Sequence, residues 1–217
     1  MPRYKAVVFD IDGTIVKHIS SWRYIHERLK LWDALACRYQ ELFLAGKISY
    51  KKFCDLDASH WKGLPDRRLR RLFRSAAYAK NAKKCIGRLK DMGFKLIAVS
   101  TGLQYMGERV KEELRFDYVV YNKLLSRSGV LTGKVMINIS HGGKARILRK
   151  ILRRLRLKPG EVISVGDSAG DIPLAQLSGY SIAFNSSDRR YSRIVDYDCK
   201  TGDFKEVFDK IVSVAGL

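Results

Sequence analysis

The sequence predicts an α/β fold, a doubly wound and mostly parallel Rossmann-like sheet with a helical cap inserted after the first strand. Three observations predict it. From residue 79 onward short apolar runs alternate with helical periodicity, the pattern of repeated strand–helix–strand units. Two of those runs, and the N-terminal run Lys5 to Phe9, end in small polar clusters, at Ser100 to Gly102, Gly166 to Asp171 and Asp10 to Thr14, and such sheets bind ligands at the carboxyl ends of their strands. Residues 17–78 carry no strand signal, so the expected division is a core of 1–16 and 79–217 with a helical cap of 17–78.

Lys5 to Phe9 is apolar and β-branched and runs into Asp10-Ile11-Asp12-Gly13-Thr14, a strand followed by a turn. From Lys17 to Tyr78 apolar residues recur at helical spacing, as in Trp22, Ile25, Leu29 and Leu69, Leu72, Phe73, with Gly46 and Gly63-Leu64-Pro65 as breaks. Three or four helices are expected there. All three tryptophans, Trp22, Trp32 and Trp61, fall in this stretch, which suggests a small aromatic core of its own. A helix ending near Met92 precedes a strand at Lys95 to Val99, then a helix at Leu103 to Leu114 and a short strand at Tyr118 to Tyr121. Leu124 to Ile137 reads as a hairpin with turn residues at Ser128-Gly129 and Thr132-Gly133. A helix from about Gly142 to Leu157, a buried strand at Val162 to Val165, a helix, a strand at Ser181 to Phe184 and a helix from about Asp203 complete the chain.

The 217 residues are 46% hydrophobic and 29% charged, an ordinary globular composition that excludes disordered, collagenous and rod-like classes. The apolar run at the N-terminus is too brief for a signal peptide or a membrane span. Four scattered cysteines (Cys37, Cys54, Cys85, Cys199) without C-x-x-C spacing argue against zinc and for reduced thiols, so a soluble cytoplasmic protein is expected. His18, His26, His60 and His141 have no metal spacing and read as surface or helix histidines.

The polar clusters carry the chemistry. Asp10 and Asp12 are two apart, so both side chains leave one face of an extended segment. Their mutual repulsion would be relieved by a hard cation such as Mg²⁺. Ser100-Thr101-Gly102 offers a hydroxyl and backbone N–H groups ahead of a helix, which suits a phosphate oxygen. Asp167 and Asp171 add carboxylates at a third strand end, and Lys144 can add a compact positive charge. With Mg²⁺ bound, such an acidic pocket becomes a phosphate site.

The order Asp10-Ile11-Asp12-Gly13-Thr14, Ser100-Thr101-Gly102, Lys144, Gly166-Asp167-Ser168-Ala169-Gly170-Asp171 resembles the haloacid dehalogenase superfamily of phosphatases. The helical insertion, the Gly129 to Gly133 hairpin and the Asp-rich fourth motif resemble its phosphoserine-phosphatase-like branch. The resemblance implies a Mg²⁺-dependent phosphomonoesterase acting on a small phosphorylated metabolite. It makes Asp10 the nucleophile that forms an aspartyl-phosphate and Asp12 the general acid and then base, with surroundings that raise its pKa. Mg²⁺ would be held by Asp10, the Asp12 backbone carbonyl, Asp167 and Asp171, the last directly or through water. Ser100, Thr101 and Lys144 would neutralise the phosphoryl oxygens; Lys134 is a weaker substitute for Lys144.

The insertion is expected to act as a lid that reads the leaving group. Relatives of that branch place a Glu after the first motif and an Arg in the cap to grip serine. Here Lys17 to Trp22 holds no carboxylate, Phe53 to Trp61 holds no Arg, and Gly170 stands where the family usually has Asn. Phosphoserine is therefore one candidate among several. Trp22 and Trp61 are expected to be core residues rather than pocket walls.

The net charge is +20, from 42 Lys+Arg against 22 Asp+Glu. Lys62 to Arg74 and Lys144 to Lys158 together carry thirteen of that surplus. The second segment has an apolar stripe of Ile147, Leu148, Ile151, Leu152 and Leu155 with arginines and lysines elsewhere, an amphipathic helix with a basic exterior. A solvated face that attracts anionic substrates is favoured. A nucleic-acid end phosphatase or nucleic-acid-binding protein, and a phosphotransferase or phosphomutase on the same scaffold, are the alternatives.

Overall fold

A computed structural model describes residues 3–18, 20–31 and 34–217. The strands are β1 (Ala6–Phe9), β2 (Lys95–Leu103), β3 (Tyr118–Arg127), β4 (Val130–Met136), β5 (Val162–Gly166), β6 (Tyr180–Phe184) and β7 (Tyr197–Cys199). They form one sheet in the order β4-β3-β2-β1-β5-β6-β7. All neighbours are parallel except β3 and β4. All four residues of β1 are fully buried, because a central parallel strand is covered on both faces and needs an unbroken apolar run. Connections run outward from β1 in opposite directions, through β2 on one side and β5 on the other, so the strand order reverses there. That is where a doubly wound sheet leaves a crevice.

Helices α5 (Ala82–Asp91), α6 (Gln104–Leu114) and α10 (Phe204–Ala215) cover one face with α1 (Ser21–Leu29), α3 (Tyr50–Ser59) and α4 (Asp66–Arg74) of the insertion. Val7, Phe9, Leu96, Ala98, Ile163 and Val165 supply the sheet side of that core. Helices α7 (Lys144–Leu155) and α8 (Ile172–Leu177) cover the other face against Ala6, Val8, Ile97 and Val99, the alternation expected of strands. Local signals fix the helix ends. Ser49 caps α3 by accepting from Lys52 N–H, Asp203 caps α10 by accepting from Lys205 N–H, and Gly216 closes α10 at φ 72°.

Within the insertion there are four helices among the described residues, with α2 spanning Ala34–Leu44. The chain leaves and re-enters the sheet region through paired segments: Lys17 N–H donates to Ala77 O at 3.0 Å and Ala79 N–H to Ile15 O at 2.9 Å. Trp61 is fully buried and Trp22 lies against it at 5.8 Å. The aromatic core is not separate, however: these rings, Leu69 and Phe73 belong to the same apolar cluster as the sheet residues. Trp32 lies outside the described residues.

The hairpin turns once rather than twice. Ser128 and Gly129 both have positive φ (50° and 75°) and link Arg127 to Val130, as a two-residue hairpin loop requires. Thr132-Gly133 lies inside β4, where the register shifts and Thr132 Oγ1 donates to Leu125 O at 2.9 Å. The turn-like residues there make a bulge. The outer edge of β4 is covered by the α3–α4 link, with Gly63 N–H donating to Leu131 O and Leu131 N–H to Leu64 O, both at 2.9 Å. β2 and β3 run on to Leu103 and Arg127, past the expected Val99 and Tyr121, and the three-residue β7 and four-residue α9 (Arg189–Ser192) had no periodicity long enough to predict them.

The basic exterior of α7 is exposed at Arg146, Arg149, Lys150, Arg153 and Arg154, while Ile147, Leu148, Ile151 and Leu152 are buried. In α4, Arg70 pairs with Asp66 and Glu108 at 2.6 Å. No described helix is long and apolar enough to cross a membrane.

Gly107 of α6 sits against the Tyr121 ring of β3, where an added Cβ would lie 2.1 Å from Tyr121 Cδ1. Alanine gains about 1 kcal/mol of helix propensity, but overpacking typically costs about 1–3 kcal/mol. Gly107→Ala is expected to lower the urea midpoint of unfolding. A raised midpoint would mean that α6 does not depend on this close approach.

Candidate active site

β1 ends by donating Asp10 N–H to Val165 O at 3.0 Å, which brings Asp10 beside the end of β5. Its Oδ1 accepts the Ile11 N–H at 2.7 Å, and its Oδ2 lies 2.9 Å from Lys144 Nζ. The chain then turns away at Gly13, whose φ of 77° suits glycine. A Cβ there would stand 2.5 Å from Asp167 Oδ2, so the backbone is pressed against the carboxylate from β5. Thr14, fully buried, donates its hydroxyl to Asp167 Oδ1 at 3.1 Å.

Asp12 faces the start of α1. Its Oδ2 accepts the Ser21 N–H at 2.7 Å, an orphan donor of the helix N-terminus, and its Oδ1 lies 3.0 Å from His18 Nε2. Burial alone would raise the Asp12 pKa, but the His18 charge and hydrogen bond and the Ser21 N–H outweigh it and hold the carboxyl below its ordinary value. The expected upward shift is therefore corrected: Asp12 stands as a carboxylate. His18 is not a bland surface residue either. It stacks on Tyr24 at 4.8 Å and meets Phe73 edge-on at 5.8 Å.

At the end of β2, Ser100 is buried and its Oγ accepts the Gly102 N–H at 3.1 Å. Thr101 O accepts from Trp22 Nε1 at 3.2 Å, Tyr50 OH at 3.4 Å and Asn122 Nδ2 at 3.0 Å. A Cβ on Gly102 would lie 2.5 Å from Asp12 Oδ2, so the glycine lets this loop approach the first motif.

Lys144, the first residue of α7, is 2% exposed and bridges Asp10 Oδ2 and Asp171 Oδ1 at 2.9 and 2.7 Å. Burial pulls its pKa down, but the two carboxylates outweigh that and hold it above its ordinary value. Lys134, by contrast, is exposed on β4. Asp171 is fully buried. Its second oxygen accepts the N–H groups of Asp167 at 3.1 Å and Ser168 at 3.3 Å, which fixes the loop after β5.

These groups line a cavity of about 150 Å³ that includes Asp10, Asp12, Ser100, Thr101, Lys144 and Asp167. Carboxylate oxygens of Asp10, Asp167 and Asp171 lie within 4.8 Å of one another, an all-oxygen donor set that fits a hard divalent cation such as Mg²⁺. Burial pushes the Asp10 carboxyl up to about 7, against the pull of Lys144 and with the push of Asp171. Burial, then the Asp10 and Asp171 charges, raise Asp167 well above the ordinary value, against the pull of Lys144. In chelator-treated protein the folded state then binds more protons than the unfolded chain between the ordinary carboxylate value and about 7. Stability is expected to fall as pH rises through that window. Thermal midpoints from pH 5 to 8 with and without Mg²⁺ check this, since the cation should suppress the fall; a chelated midpoint that rises with pH would contradict it.

All seven residues expected from the sequence, Asp10, Asp12, Ser100, Thr101, Lys144, Asp167 and Asp171, thus converge on one crevice. Residues that the sequence reading missed join them. Ser20 and Trp22 line the cavity, Ser21 and His18 hold Asp12, and Thr14 holds Asp167. The usable signal was Ser20-Ser21 shortly after the first motif, a helix start aimed back at a carboxylate.

The haloacid dehalogenase-like hydrolase family model matches residues 7–176. A phosphoserine phosphatase of Archaeoglobus fulgidus is 33% identical over 188 residues, covering 85% of this chain and 53% of that protein. The chain thus spans about half the length of that relative. A phosphoserine phosphatase of Idiomarina loihiensis is 29% identical over 202 residues, covering 93% of this chain and 90% of its own. A substrate-bound phosphoserine phosphatase structure superposes with a TM-score of 0.83 at 24% identity, covering 97% and 99% of the two chains, a likeness of fold. With the family model spanning most of the sequence, and the Asp10, Ser100 and Asp167 motifs at strand ends beside Lys144 at the start of α7, the chain belongs to the haloacid dehalogenase-like hydrolase family.

Proposed function

We propose that this chain is a Mg²⁺-dependent phosphomonoesterase that releases phosphate from a small phosphorylated metabolite through an aspartyl-phosphate on Asp10. The observation that carries the reading is Lys144 Nζ at 2.9 Å from Asp10 Oδ2 inside the small polar cavity: a carboxylate and a buried cation meet where a phosphoryl group would sit. The relatives named phosphoserine phosphatase support the reaction class. Residues 17–78 serve as the cap over a core of 1–16 and 79–217, and Trp22 and Tyr50 reach from it to Thr101. A cytoplasmic setting fits four free cysteines.

An oxygen of Asp10 attacks phosphorus as the bond to the leaving oxygen breaks. Asp12, whose Oδ1 lies 3.0 Å from His18 Nε2, delivers the proton that the leaving oxygen takes up. In the second half, a water oxygen bonds to phosphorus, the Asp10–phosphorus bond breaks, and Asp12 takes the water proton. Ser100, the Thr101 N–H and Lys144 hold the phosphoryl oxygens. Mg²⁺, held by Asp10, Asp167 and the Asp12 carbonyl, would supply charge neutralisation at the phosphoryl group. Asp171, bonded to Lys144 and to the Asp167 N–H, sets the lysine and the loop and reaches the cation directly or through water.

A phosphate-release screen over phosphorylated metabolites and end-phosphorylated oligonucleotides, with and without Mg²⁺, tests the reading. Mg²⁺-dependent release from a metabolite is expected. Release from no substrate, a generic aryl phosphate included, would remove it.

A further inference from the structure

We infer that the alcohol released from the substrate carries a planar ring, and that a second cavity under the cap is the pocket that selects it; this rests on the phosphomonoesterase reading. The second cavity measures about 570 Å³ and shares Ser20, Trp22 and Thr101 with the 150 Å³ polar cavity. A phosphate held at Asp10 therefore points its ester group into it. Pockets of about 300–1,000 Å³ enclose ligands much larger than an amino acid side chain, and a serine would leave most of this one unfilled.

Its walls state the chemistry. Phe43 and Phe53 are stacked at 5.2 Å with an interplanar angle of 8°, and Tyr50 lies 5.6 Å from Phe43. Trp22 and Tyr50 have their polar ends tied to Thr101 O, so what they offer the cavity is largely apolar ring. Aromatic walls favour a ring by area and by π contact. The ionic groups of the lining are Lys17, Arg23, Glu27 and Asp57. Arg23 and Glu27 are bonded to each other at 2.6 Å, and buried Asp57 lies 3.5 Å from His26.

The test compares primary-alcohol phosphates, whose leaving groups are of similar intrinsic reactivity: phosphoserine, glycerol 1-phosphate, the nucleoside 5′-monophosphates and a phosphorylated hydroxymethylpyridine. The last two arms distinguish a nucleoside from a simple heteroaromatic alcohol. With Mg²⁺, kcat/KM for one ring-bearing ester is expected to exceed that for phosphoserine and glycerol phosphate by about tenfold or more. Phe53→Ala should cost the ring-bearing ester about tenfold more in kcat/KM than it costs glycerol phosphate, with an unchanged circular-dichroism spectrum reporting an intact fold; Phe53→Leu should fall between. Phosphoserine or glycerol phosphate as the best substrate, or a Phe53→Ala loss equal for all esters, overturns the ring assignment and leaves the phosphomonoesterase reading standing. Release from none of them overturns that reading and the ring with it.

Discussion

Asp10→Asn is expected to reduce phosphate release by about 10³-fold or more, the order of loss that follows removal of a catalytic nucleophile. The amide keeps the shape of the side chain, so the Ile11 N–H retains its acceptor at Oδ1, but its nitrogen and oxygen lack the charge to attack phosphorus. Stability should move the other way. Burial pushes the native carboxyl up to about 7, so above that pH the folded protein carries an anion in a site that disfavours it. A neutral isostere removes that burden, and chelated Asp10→Asn should melt no lower than wild type at pH 8. An inactive variant with raised stability is the pattern of a site strained for chemistry. Full activity in Asp10→Asn would place the nucleophile elsewhere.

Lys144→Met is expected to lose both activity and stability. Lys144 is the cation between Asp10 and Asp171, and both carboxylates are nearly or wholly buried. Breaking a buried charge pair by removing one partner typically costs about 3–5 kcal/mol, because the remaining charge stays desolvated. Chemical denaturation of chelated protein at pH 8 reads that loss. Mg²⁺ should restore part of the stability without restoring turnover, since the cation can neutralise the carboxylates while the phosphoryl oxygens still lack the ammonium. Arginine is a poor replacement: its planar fork differs from a compact ammonium seated between two oxygens. A Lys144→Met protein as stable and active as wild type would return the lysine to the status of an ordinary basic helix residue.

The sheet and the convergence of its strand ends were legible in the sequence because both follow from short-range patterns. Val7 and Val8 lie in an unbroken apolar run that only a doubly covered strand needs, and the polar motifs follow directly on β1, β2 and β5. Lys144 was legible by its order among the motifs, although nothing in a basic helix marks its first residue as the one that turns inward. The environment of Asp12 was not legible. His18 approaches it across the turn at Gly13, and Ser21 through the start of α1, so the sign of its pKa shift depends on where the insertion begins to fold. Thr132-Gly133 misled for a related reason: the same residues make a turn or a bulge, and pairing with β3 decides which. The aromatic insertion was visible, but whether Trp22 packs as core or lines a pocket depends on both at once. Its ring lies on Trp61 while its indole N–H reaches Thr101 O.

The covalent role proposed for Asp10 is tested most directly by acid-quenching a single turnover and examining peptides by mass spectrometry. The peptide bearing Asp10 should carry one phosphoryl group at early times, lose it as free phosphate appears, and carry none in Asp10→Asn. Phosphate released at the full single-turnover rate with no phosphorylated peptide at any quench time, under conditions that preserve an acyl phosphate, would contradict it.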